Sequence, residues 1–495
     1  MLQRHLCSRA RFCHPFSLLL FIILILNPFK AAVTFKMAAA TKRKHVLVMT
    51  MPAFGHYIPG LELAKKIIEH HDVTFVLSIH KFKDIEERGI LPPAPIQLHT
   101  FDDGFTYNVD EHIGDLTGFV KQLCVSKPYY ENFINSLTIT GDQKPGTSAI
   151  APVDAIFCDA TMPMPFQACH NRDILTYGFV PLSAKLFASY GAIDENTPSV
   201  PDEEFFSGTD ESLNRGGKMA ESFKSLALDF GSAQALVKEV LFNSFEELEP
   251  EAVVMLNSLP KFAKTPVAFI GPLLPEHKEK PEDEFTKKIR SWLDKQGERS
   301  VVYFSFGTVA VPSAEQLAEV AEALVSLKQP FIWSLRSYQQ DMLPLKYIRS
   351  TVETMSDETP YLILHWTPQK RILAHKSTGV YVSHCGWNST LEAVSYGVPV
   401  VAWPMLGDQH NNAALIEQWG IGRCVPVAGM KSQTTLAKDI ADIIATVGGW
   451  KGSQAGENPF LRKAQELSDK AKNASSPDGK STKNLLEVMN KIADM

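Results

Sequence analysis

The chain has 495 residues, 45% of them hydrophobic, and a formal net charge of -6 at pH 7. This length exceeds what one ordinary hydrophobic core supports, so we expect two domains with connecting segments. Acidic and basic residues are nearly balanced, which leaves no basic surface for a polyanion and argues against nucleic acid as a partner. The seven cysteines show no paired short spacing, so the sequence indicates neither a zinc site nor a disulfide framework.

Residues 1–36 have the composition of a signal peptide. Three arginines precede the apolar run Phe16–Leu26, and a lysine and two alanines follow it. The run is shorter than the roughly 20 residues that a membrane-spanning helix needs, so we expect no stable membrane span in the mature chain. Because Met37 stands shortly before the first predicted strand, an upstream extension of a chain that starts there is an equally good interpretation.

The first half of the chain alternates short apolar runs with amphipathic segments. Strands are predicted at His45–Met49, Asp72–Leu77, Asp154–Cys158 and Glu239–Phe242. A loop with Gly55 and Pro59 is predicted after the first strand, followed by a helix through Ile67. This alternation is typical of a parallel sheet covered by helices on both faces.

The pattern breaks at 271–284, a stretch rich in proline and charge that is the best candidate for a linker. A second alternating unit follows, with strands predicted at Ser300–Ser305, Tyr361–Leu364, Val380–Ser383 and Pro399–Ala402. The predicted fold class is therefore α/β, with two doubly wound, Rossmann-like domains facing a cleft. Their predicted bounds are 43–270 and 285–473. Open parallel sheets bind ligands beyond the carboxyl ends of their strands, where the candidate residues below also fall.

A 44-residue block from Trp366 to Gln409 carries the most informative motif. It combines an aromatic residue after a strand, a histidine at a strand end, a small-residue turn into a helix and a terminal acid–amide pair. The block is similar, without insertion or deletion, to the signature box of plant secondary product glycosyltransferases within the UDP-glycosyltransferase family. The resemblance extends more loosely from about Lys42 to the C-terminus. It implies the GT-B fold, a C-terminal helix at 474–495 that packs back on the first domain, and a UDP-sugar as donor substrate without a separate cofactor.

His384 and the segment from Gly386 to Ser389 fall at a predicted strand-to-helix junction. Unpaired backbone N–H groups and the positive end of a helix favour a diphosphate at such a junction. Asn388 and Ser389 add short side-chain donors, although both residue types also cap helices well, and the two roles are compatible.

The resemblance implies further donor contacts. Trp366 would stack on uracil, Gln369 would hold the ribose or the base edge, and Glu392 would bind the ribose hydroxyls through both oxygens. Asp408 and Gln409 would hydrogen-bond the transferred sugar. Gln409, together with Trp387, favours glucose, while xylose or another hexose stays open. The turn after Ser305 resembles the family's serine–phenylalanine–glycine turn, and Thr308 could reach the β-phosphate.

The same resemblance assigns the catalytic base to His56, in the loop after the first strand. Histidine suits the removal of a hydroxyl proton near neutral pH. Asp159, which follows a predicted strand, resembles the partner acid that orients the imidazole and stabilises its charged form. Asp154 is the alternative partner, but it begins that strand and should lie at the wrong end.

The predicted reaction is a single inverting displacement that converts an α-linked donor into a β-glycoside. No Asp-x-Asp triplet suited to a diphosphate-bound divalent ion occurs in the chain, so we predict a metal-independent reaction. Three apolar segments of the first domain, 101–105, 162–166 and 179–189, could line the site of a phenolic or flavonoid-like acceptor, although core packing explains them equally well. A sterol or lipid glycosyltransferase and a noncatalytic nucleotide-sugar binding protein are the alternatives.

A cytoplasmic monomer is expected. The sequon Asn388-Ser389-Thr390 lies in the predicted diphosphate pocket, where a glycan would block the donor. The C-terminal residues carry no apolar anchor, unlike the membrane-bound animal relatives. The secretory pathway is the alternative if 1–36 acts as a signal.

Overall fold

The computed structural model describes residues 43–105, 116–143, 146–200, 219–275, 282–307, 312–344, 346–347, 359–405, 407–425, 434–451 and 457–495. The predicted signal-like segment 1–36 and the candidate residue Thr308 lie outside these ranges. In the described part of the chain, no helix combines the length and apolar content needed to cross a bilayer.

The first half forms a parallel sheet flanked by helices. Its strands are β1 His45–Met49, β2 Asp72–Ser78, β3 Gln97–Phe101, β4 Ala155–Asp159, β5 Leu175–Val180, β8 Glu239–Phe242 and β9 Val267–Phe269, and the small pair beside it is β6 Ser199–Val200 and β7 Met219–Ala220. The helices of this half are α1 Phe54–Ile67, α2 Ile79–Glu87, α3 Leu116–Ser136, α4 Met164–Asn171, α5 Ala184–Gly191, α6 Glu221–Ala233 and α7 Pro250–Ser258. Two short 3₁₀ turns lie at Gln234–Leu236 and Pro260–Phe262.

The second half repeats the design. Its strands are β10 Val301–Ser305, β11 Phe331–Ser334, β12 Tyr361–Leu364, β13 Thr378–Ser383, β14 Val400–Ala402 and β15 Gly422–Cys424. Its helices are α8 Glu284–Asp294, α9 Ala314–Ser326, α10 Ser337–Gln340, α11 Gln369–Leu373, α12 Trp387–Tyr396, α13 Gln409–Gln418, α14 Ala437–Val447 and α15 Pro459–Ser475. The last helix, α16, spans Lys480–Ala493.

Strand order confirms the predicted fold class. The sheets run β3-β2-β1-β4-β5-β8-β9 and β12-β11-β10-β13-β14-β15. Every pairing in both is parallel, and in each the chain starts near the middle and then crosses to the other side. A doubly wound sheet binds ligands where this order reverses, at the carboxyl ends of the central strands. In this chain those ends are the residues after β1, β4, β10 and β13.

Each sheet is covered by apolar side chains on both faces. The strand residues Val46 and Leu47 point to opposite faces and belong to different buried clusters, and Val301 and Val302 do the same in the second half. This is the pattern of strands buried on two sides, which explains why they read as continuous apolar runs. The two sheets therefore provide rigid platforms for the loops at their carboxyl ends.

Helix α16 lies against the first half rather than the second. Leu485, Val488 and Met489 belong to the apolar cluster that also contains Val46 of β1. His71 Nε2 lies 2.9 Å from the carbonyl oxygen of Met489. The chain thus returns to the first half after α15.

Two local expectations need correction. Helix α1 begins at Phe54, so Gly55, His56 and Pro59 lie inside a helix and the predicted loop is wrong. Strand β4 extends through Asp159, so this residue ends the strand instead of following it. Proline is compatible with an early helical turn when another group satisfies the carbonyl that its missing N–H leaves open.

Candidate active site

The first part of the site lies at the carboxyl ends of β1 and β4, which are neighbours in the sheet. His56 lies in the first turn of α1, and Asp159 is the last residue of β4. His56 Nδ1 lies 2.8 Å from Asp159 Oδ2. The carboxylate is fully buried, whereas the imidazole side chain keeps 16% of its surface exposed. The pair uses Nδ1 and leaves Nε2 for a substrate.

Three further hydrogen bonds fix the Asp159 carboxylate. The backbone N–H of Met51 donates to Oδ2 at 3.3 Å, and the backbone N–H and hydroxyl of Thr161 donate to Oδ1 at 3.0 and 2.6 Å. An ionised carboxylate can only accept hydrogen bonds, so the proton of a neutral His56 must reside on Nδ1. The lone pair of Nε2 is then the basic site.

Burial and charge act in opposite directions on this pair. Burial lowers the pKa of His56, but the charge and hydrogen bond of Asp159, with a smaller contribution from Asp408, raise it above its ordinary value. Burial would raise the pKa of Asp159, but the charge and hydrogen bond of His56 and the Thr161 donors bring it below its ordinary value. Both shifts favour the charge-separated form of the pair.

Asp154, the alternative partner, lies at the other end of the strand. Its Oδ2 accepts a hydrogen bond from the backbone N–H of His45 at 2.8 Å, and its Oδ1 lies 3.7 Å from Lys44 Nζ. The structure therefore pairs His56 with Asp159 and not with Asp154.

The helix that carries His56 is bonded to the second half. Pro59 has no N–H, so it cannot donate the i→i−4 hydrogen bond that the Gly55 carbonyl would receive in a regular helix. The side-chain amide of Asn388 donates to this carbonyl instead, with Nδ2 at 2.9 Å from the oxygen. Pro59 thus leaves the Gly55 carbonyl without a helical donor, and Asn388, a predicted diphosphate ligand on α12, supplies the hydrogen bond instead.

The second part of the site is the turn from β13 into α12. Cys385 in this turn has a left-handed backbone, with φ of +66°. Gly386 is the N-cap of α12 and provides no side-chain cap. Asn388 and Ser389 are the second and third residues of the helix, so the interpretation of either as its N-cap is wrong. The backbone N–H of Trp387 acts on the Asp408 carboxylate, and Gly386 has no side chain with which to cap the N–H groups that follow.

His384 is packed tightly beside this turn. A Cβ atom added at Gly307 or at Gly386 would lie 2.6 or 2.7 Å from the His384 ring, so glycine is required at both positions. Burial lowers the pKa of His384 to about 4, with the backbone of Ser305 acting weakly in the other direction. The ring is neutral near pH 7, and its buried Nδ1 has no partner among the described residues. His384 therefore contributes no positive charge to the turn.

The predicted uridine residues are Trp366, which precedes α11, Gln369 at the start of α11, and Glu392 on α12. Trp366 follows β12 and is 54% exposed, with one face near Phe285 at a ring distance of 6.2 Å. Gln369 Nε2 donates to Glu392 Oε2 at 2.7 Å. The structure thus combines the exposed ring of Trp366 with the Glu392 carboxylate, which Gln369 holds through a hydrogen bond.

Asp408 and Gln409 lie at the start of α13 and are already engaged with the protein. Asn412 Nδ2 donates to Asp408 Oδ2 at 2.7 Å and to the Cys385 carbonyl at 2.8 Å. The Met405 N–H donates to Gln409 Oε1 at 2.8 Å. Burial raises the pKa of Asp408, partly offset by Asn412 and by the charge of His56. Asp408 and His56 each shift the pKa of the other, so the two parts of the site interact electrostatically.

Trp387, expected to favour glucose, has a buried side chain that contacts the other half. Its ring is 3% exposed, and its indole N–H donates to the Asn243 carbonyl at 2.9 Å. Its backbone N–H acts on Asp408 and lowers the pKa of that carboxyl. The indole of Trp387 therefore links the two halves, and its backbone N–H interacts with Asp408 in the site.

Known proteins identify the family of this site. The model for "UDP-glucoronosyl and UDP-glucosyl transferase" matches residues 218–446. UDP-glycosyltransferase 74C1 of Arabidopsis thaliana is 31% identical over 482 residues, which cover 90% of this chain and 98% of that protein. The chain belongs to the UDP-glycosyltransferase family. Anthocyanidin 3-O-glucosyltransferase 7 of Manihot esculenta is 35% identical over 277 residues, covering 56% of this chain and 90% of that relative.

The fold of this UDP-glycosyltransferase is shared with a solved plant enzyme. The crystal structure of Medicago truncatula UGT71G1 complexed with UDP-glucose matches with a TM-score of 0.72 and 22% identity, covering 92% of this chain and all of that one. Both halves take part in this similarity, which agrees with the GT-B arrangement of two Rossmann-like domains.

Sequence reasoning missed several residues of this UDP-glycosyltransferase site. Thr161 fixes Asp159 and Asn412 fixes Asp408. Burial, with a smaller contribution from the charge of Asp408, raises the pKa of Tyr190. Asn412 could have been found, because it lies one helical turn after Asp408 on the same face. Thr161 and Tyr190 carry no such local signal.

Two other features of the UDP-glycosyltransferase lie away from the predicted donor residues. Cavities of about 220 and 260 Å³ lie between the halves, the first lined by residues that include Lys185, Glu251 and Gln418. Among the described residues, His80, Asp102 and Asp103 bring possible metal ligand atoms within 4.8 Å of one another. This cluster lies beyond β2 and β3, on the predicted acceptor side, not at the diphosphate turn.

Proposed function

We propose that this protein transfers glucose from UDP-glucose to a hydroxyl of a small apolar acceptor and inverts the anomeric centre to give a β-glucoside. The observation that carries this proposal is the His56–Asp159 pair, whose histidine lies on a helix that Asn388, at the donor turn, contacts directly. A base in one half and a diphosphate turn in the other suit a displacement between two substrates in one cleft.

In the proposed reaction, His56 acts as general base. Its Nε2 takes the proton of the acceptor hydroxyl while the acceptor oxygen bonds to the anomeric carbon and the bond from that carbon to UDP breaks. Asp159 stabilises the imidazolium that forms, and the raised pKa of His56 supports this role. The proton leaves later to solvent, which returns the histidine to its basic form.

The departing UDP gains negative charge that the donor turn is proposed to absorb. The uncapped first turn of α12 offers N–H groups and the positive end of the helix. Asn388 and Ser389 add side-chain donors. We propose that these groups, with Thr308, replace a divalent metal in this role. Activity that survives a metal chelator would agree with this part of the proposal.

The sugar is proposed to bind between Asp408 and Gln409 at the start of α13. Asp408 is buried beside Asn412 and acts electrostatically on His56, which suits a carboxylate that holds sugar hydroxyls next to the reacting carbon. Gln409 accepts a hydrogen bond from the Met405 backbone N–H through Oε1, which fixes the side chain at the start of α13.

The acceptor is proposed to be phenolic or flavonoid-like. Most aromatic and methionine side chains of the three predicted segments, including Met162, Phe166 and Phe187, are buried in the core. Phe101, Leu182 and Tyr190 are only partly buried beside that core and are better placed to meet a substrate. The Manihot esculenta relative is named for anthocyanidin, a flat aromatic acceptor, which supports this choice.

A direct test combines the purified chain with UDP-glucose and a mixed pool of phenolic acceptors. We expect UDP release and a product heavier by one glucose, retained in the presence of chelator. His56→Ala should lower kcat by about 10³-fold, as expected for loss of a general base, with UDP affinity unchanged. Near wild-type activity of that variant would refute the role of His56. Product formed only with sterols would favour the lipid alternative, and UDP binding without any transfer would favour a noncatalytic protein.

A further inference from the structure

A histidine and two aspartates lie together where β2 and β3 end. Ser78, the last residue of β2, pairs with Phe101, the last residue of β3. The residues that follow the two strands therefore emerge side by side at one edge of the sheet. His80 is the second residue of α2, and Asp102 and Asp103 follow β3 directly. One possible ligand atom from each of these three side chains lies within 4.8 Å of the other two.

Asp103 is the buried member of this cluster, and one of its oxygens has no partner. The residue is fully buried, and Oδ1 accepts a hydrogen bond from the backbone N–H of Phe105 at 3.1 Å. The other oxygen, Oδ2, makes no hydrogen bond within the described part of the chain. Burial raises the pKa of Asp103 and the nearby Ser78 hydroxyl partly offsets this effect, but Ser78 Oγ is itself buried without an aligned partner. A buried carboxylate in this state is costly unless a positive charge compensates it.

His80 and Asp102 form the accessible side of the cluster. His80 Nε2 lies 3.5 Å from Asp102 Oδ1, and the two side chains are 46% and 67% exposed. This distance is longer than an ordinary hydrogen bond. It is close to the separation of about 3.4 Å between two ligands of a tetrahedral zinc ion, whose bonds are about 2.0–2.1 Å long. The exposed side chains can turn to complete such a geometry around the fixed Asp103.

The loop that carries the two aspartates is held by contacts of its own. The backbone N–H of Gly104 donates to Asp102 Oδ1 at 2.9 Å, and the Gly104 carbonyl accepts a hydrogen bond from Gln122 Nε2 at 2.8 Å. Gly104 has a left-handed backbone, with φ of +65°, and a Cβ atom there would lie 2.3 Å from the ring of Tyr129. Glycine is therefore required, and the backbone that presents the carboxylates is preorganised.

We propose that His80, Asp102 and Asp103 bind a zinc ion, with water as the fourth ligand. One imidazole with two carboxylates suits zinc, whereas calcium and magnesium prefer oxygen ligands alone. The site uses no cysteine, so the spacing of the cysteines carries no signal for it. It lies at the carboxyl ends of β2 and β3, apart from the diphosphate turn. The ion joins α2 to the loop after β3 and takes no part in the departure of UDP.

The test measures zinc binding to the full chain by calorimetry, after treatment with a chelator and removal of that chelator. The natural protein should bind one zinc ion that His80→Asn binds more than about 100-fold more weakly, because even changes outside the ligand shell cost about 10- to 100-fold. His170→Asn, at an exposed histidine of α4, is the matched control and should stay within about twofold of the natural protein. Unchanged affinity in His80→Asn, or an equal loss in both variants, would overturn the proposal.

Asp103→Asn provides a second variant that is expected to fold. Its side-chain oxygen can still accept the Phe105 N–H, and it removes a buried charge, so without zinc its Tm should be no lower than that of the natural protein. Zinc should raise the Tm of the natural protein by a few degrees and leave that of Asp103→Asn unchanged. An equal rise in both would count against the site.

X-ray absorption at the zinc edge checks the ligands. The spectrum should show one imidazole and oxygen ligands, and sulfur ligands would place the ion at cysteines elsewhere in the chain. Calcium bound more tightly than zinc would equally refute the proposed site. All of these measurements are made without UDP-glucose or an acceptor, so their failure leaves the proposed function standing, and failure of glucosyl transfer leaves the zinc site standing.

Discussion

The His56–Asp159 pair and the hydrogen bonds of Gln369 are each complete within one half of the molecule, whereas the contacts that join the halves near these residues are single hydrogen bonds. Asp159 receives four hydrogen bonds from residues of the first half, and Gln369 makes four within the second. Between the halves near the site, single hydrogen bonds run from Asn388 to Gly55 and from Trp387 to Asn243.

This difference indicates that each half fixes the geometry of its own site residues, and that the contacts between the halves set the distance and orientation between the two groups. Groups bonded several times over are rigid and preorganised. The single bonds that join the halves near the site can adjust when substrates bind, because each bond is worth only about 1 kcal/mol net. We therefore expect damage within a half to affect the chemical step most, and damage at the junction to affect it less.

The largest effect is expected at Asp159. Asp159→Asn replaces the acceptor of the His56 proton with a neutral amide, so the imidazole loses both its tautomer control and the partner of its charged form. We expect kcat to fall by about 10³-fold. Steady-state kinetics would measure this, with Asp154→Asn as the matched control at the other end of β4. Comparable losses in both variants would show that the strand, not the pair, was damaged.

The pH dependence of the same reaction gives a second check. His56 must be neutral to act as a base, and its pKa is raised mainly by Asp159 against the effect of burial. The acid limb of kcat/KM should therefore have its midpoint above the ordinary histidine value of about 6.5. The residual activity of Asp159→Asn should show this limb at lower pH, since the opposing charge is gone. An acid limb with the same midpoint in Asp159→Asn as in the natural protein would show that a group other than His56 causes it.

A smaller effect is expected at the buried junction contact. Trp387→Phe keeps a ring but removes the N–H that the Asn243 carbonyl accepts, leaving that carbonyl without its indole donor. We expect a loss of about 2 kcal/mol in stability and a fall in kcat of about tenfold, with UDP affinity nearly unchanged. Trp419→Phe, at a neighbouring ring 6.4 Å away, is the control. Equal effects of both variants would point to lost packing instead of a lost junction.

Pro59 offers a change that should raise stability and lower activity. Pro59→Ala supplies an N–H that competes with Asn388 for the Gly55 carbonyl, while the helix gains a better residue. We expect a higher Tm together with a fall in kcat of about threefold. Pro128→Ala, at an exposed proline within α3, should raise Tm without changing kcat. An unchanged kcat in Pro59→Ala would show that the Asn388 contact does not matter for His56.

Sequence patterns predicted the features of this protein that depend on neighbouring residues in the chain, such as its buried strands. The strand pattern located β1, β8 and β12 at their observed bounds, because strands buried on two faces are continuous apolar runs. The rule for carboxyl strand ends, with the family resemblance, placed His56 and Asp159 together. Residue roles beyond that placement remain predictions.

The rest depends on contacts between distant segments. The start of α1 was missed because Gly55 and Pro59 resemble loop residues, and the partner that makes the helix workable, Asn388, lies 333 positions away. The indole of Trp387 meets a carbonyl 144 positions away. The engagement of Gln369 by two tyrosines is likewise invisible in the sequence, since only the parallel pairing of β10 with β13 brings Tyr303 and Tyr381 side by side.

The smallest effect is expected at Lys185, which joins the halves at the rim of the 220 Å³ cavity. Its Nζ lies 3.1 Å from Glu251 and 2.9 Å from Gln418, the last residue of α13, whose first residues are the proposed sugar ligands. The Lys185–Glu251 pair is largely exposed, so water and salt screen it, and Lys185→Met should leave stability nearly unchanged. We expect kcat to change by less than about twofold, measured beside Trp387→Phe at low and high salt. A salt-sensitive loss as large as that of Trp387→Phe would mean that the exposed rim, and not the buried contacts near His56, sets how the halves meet.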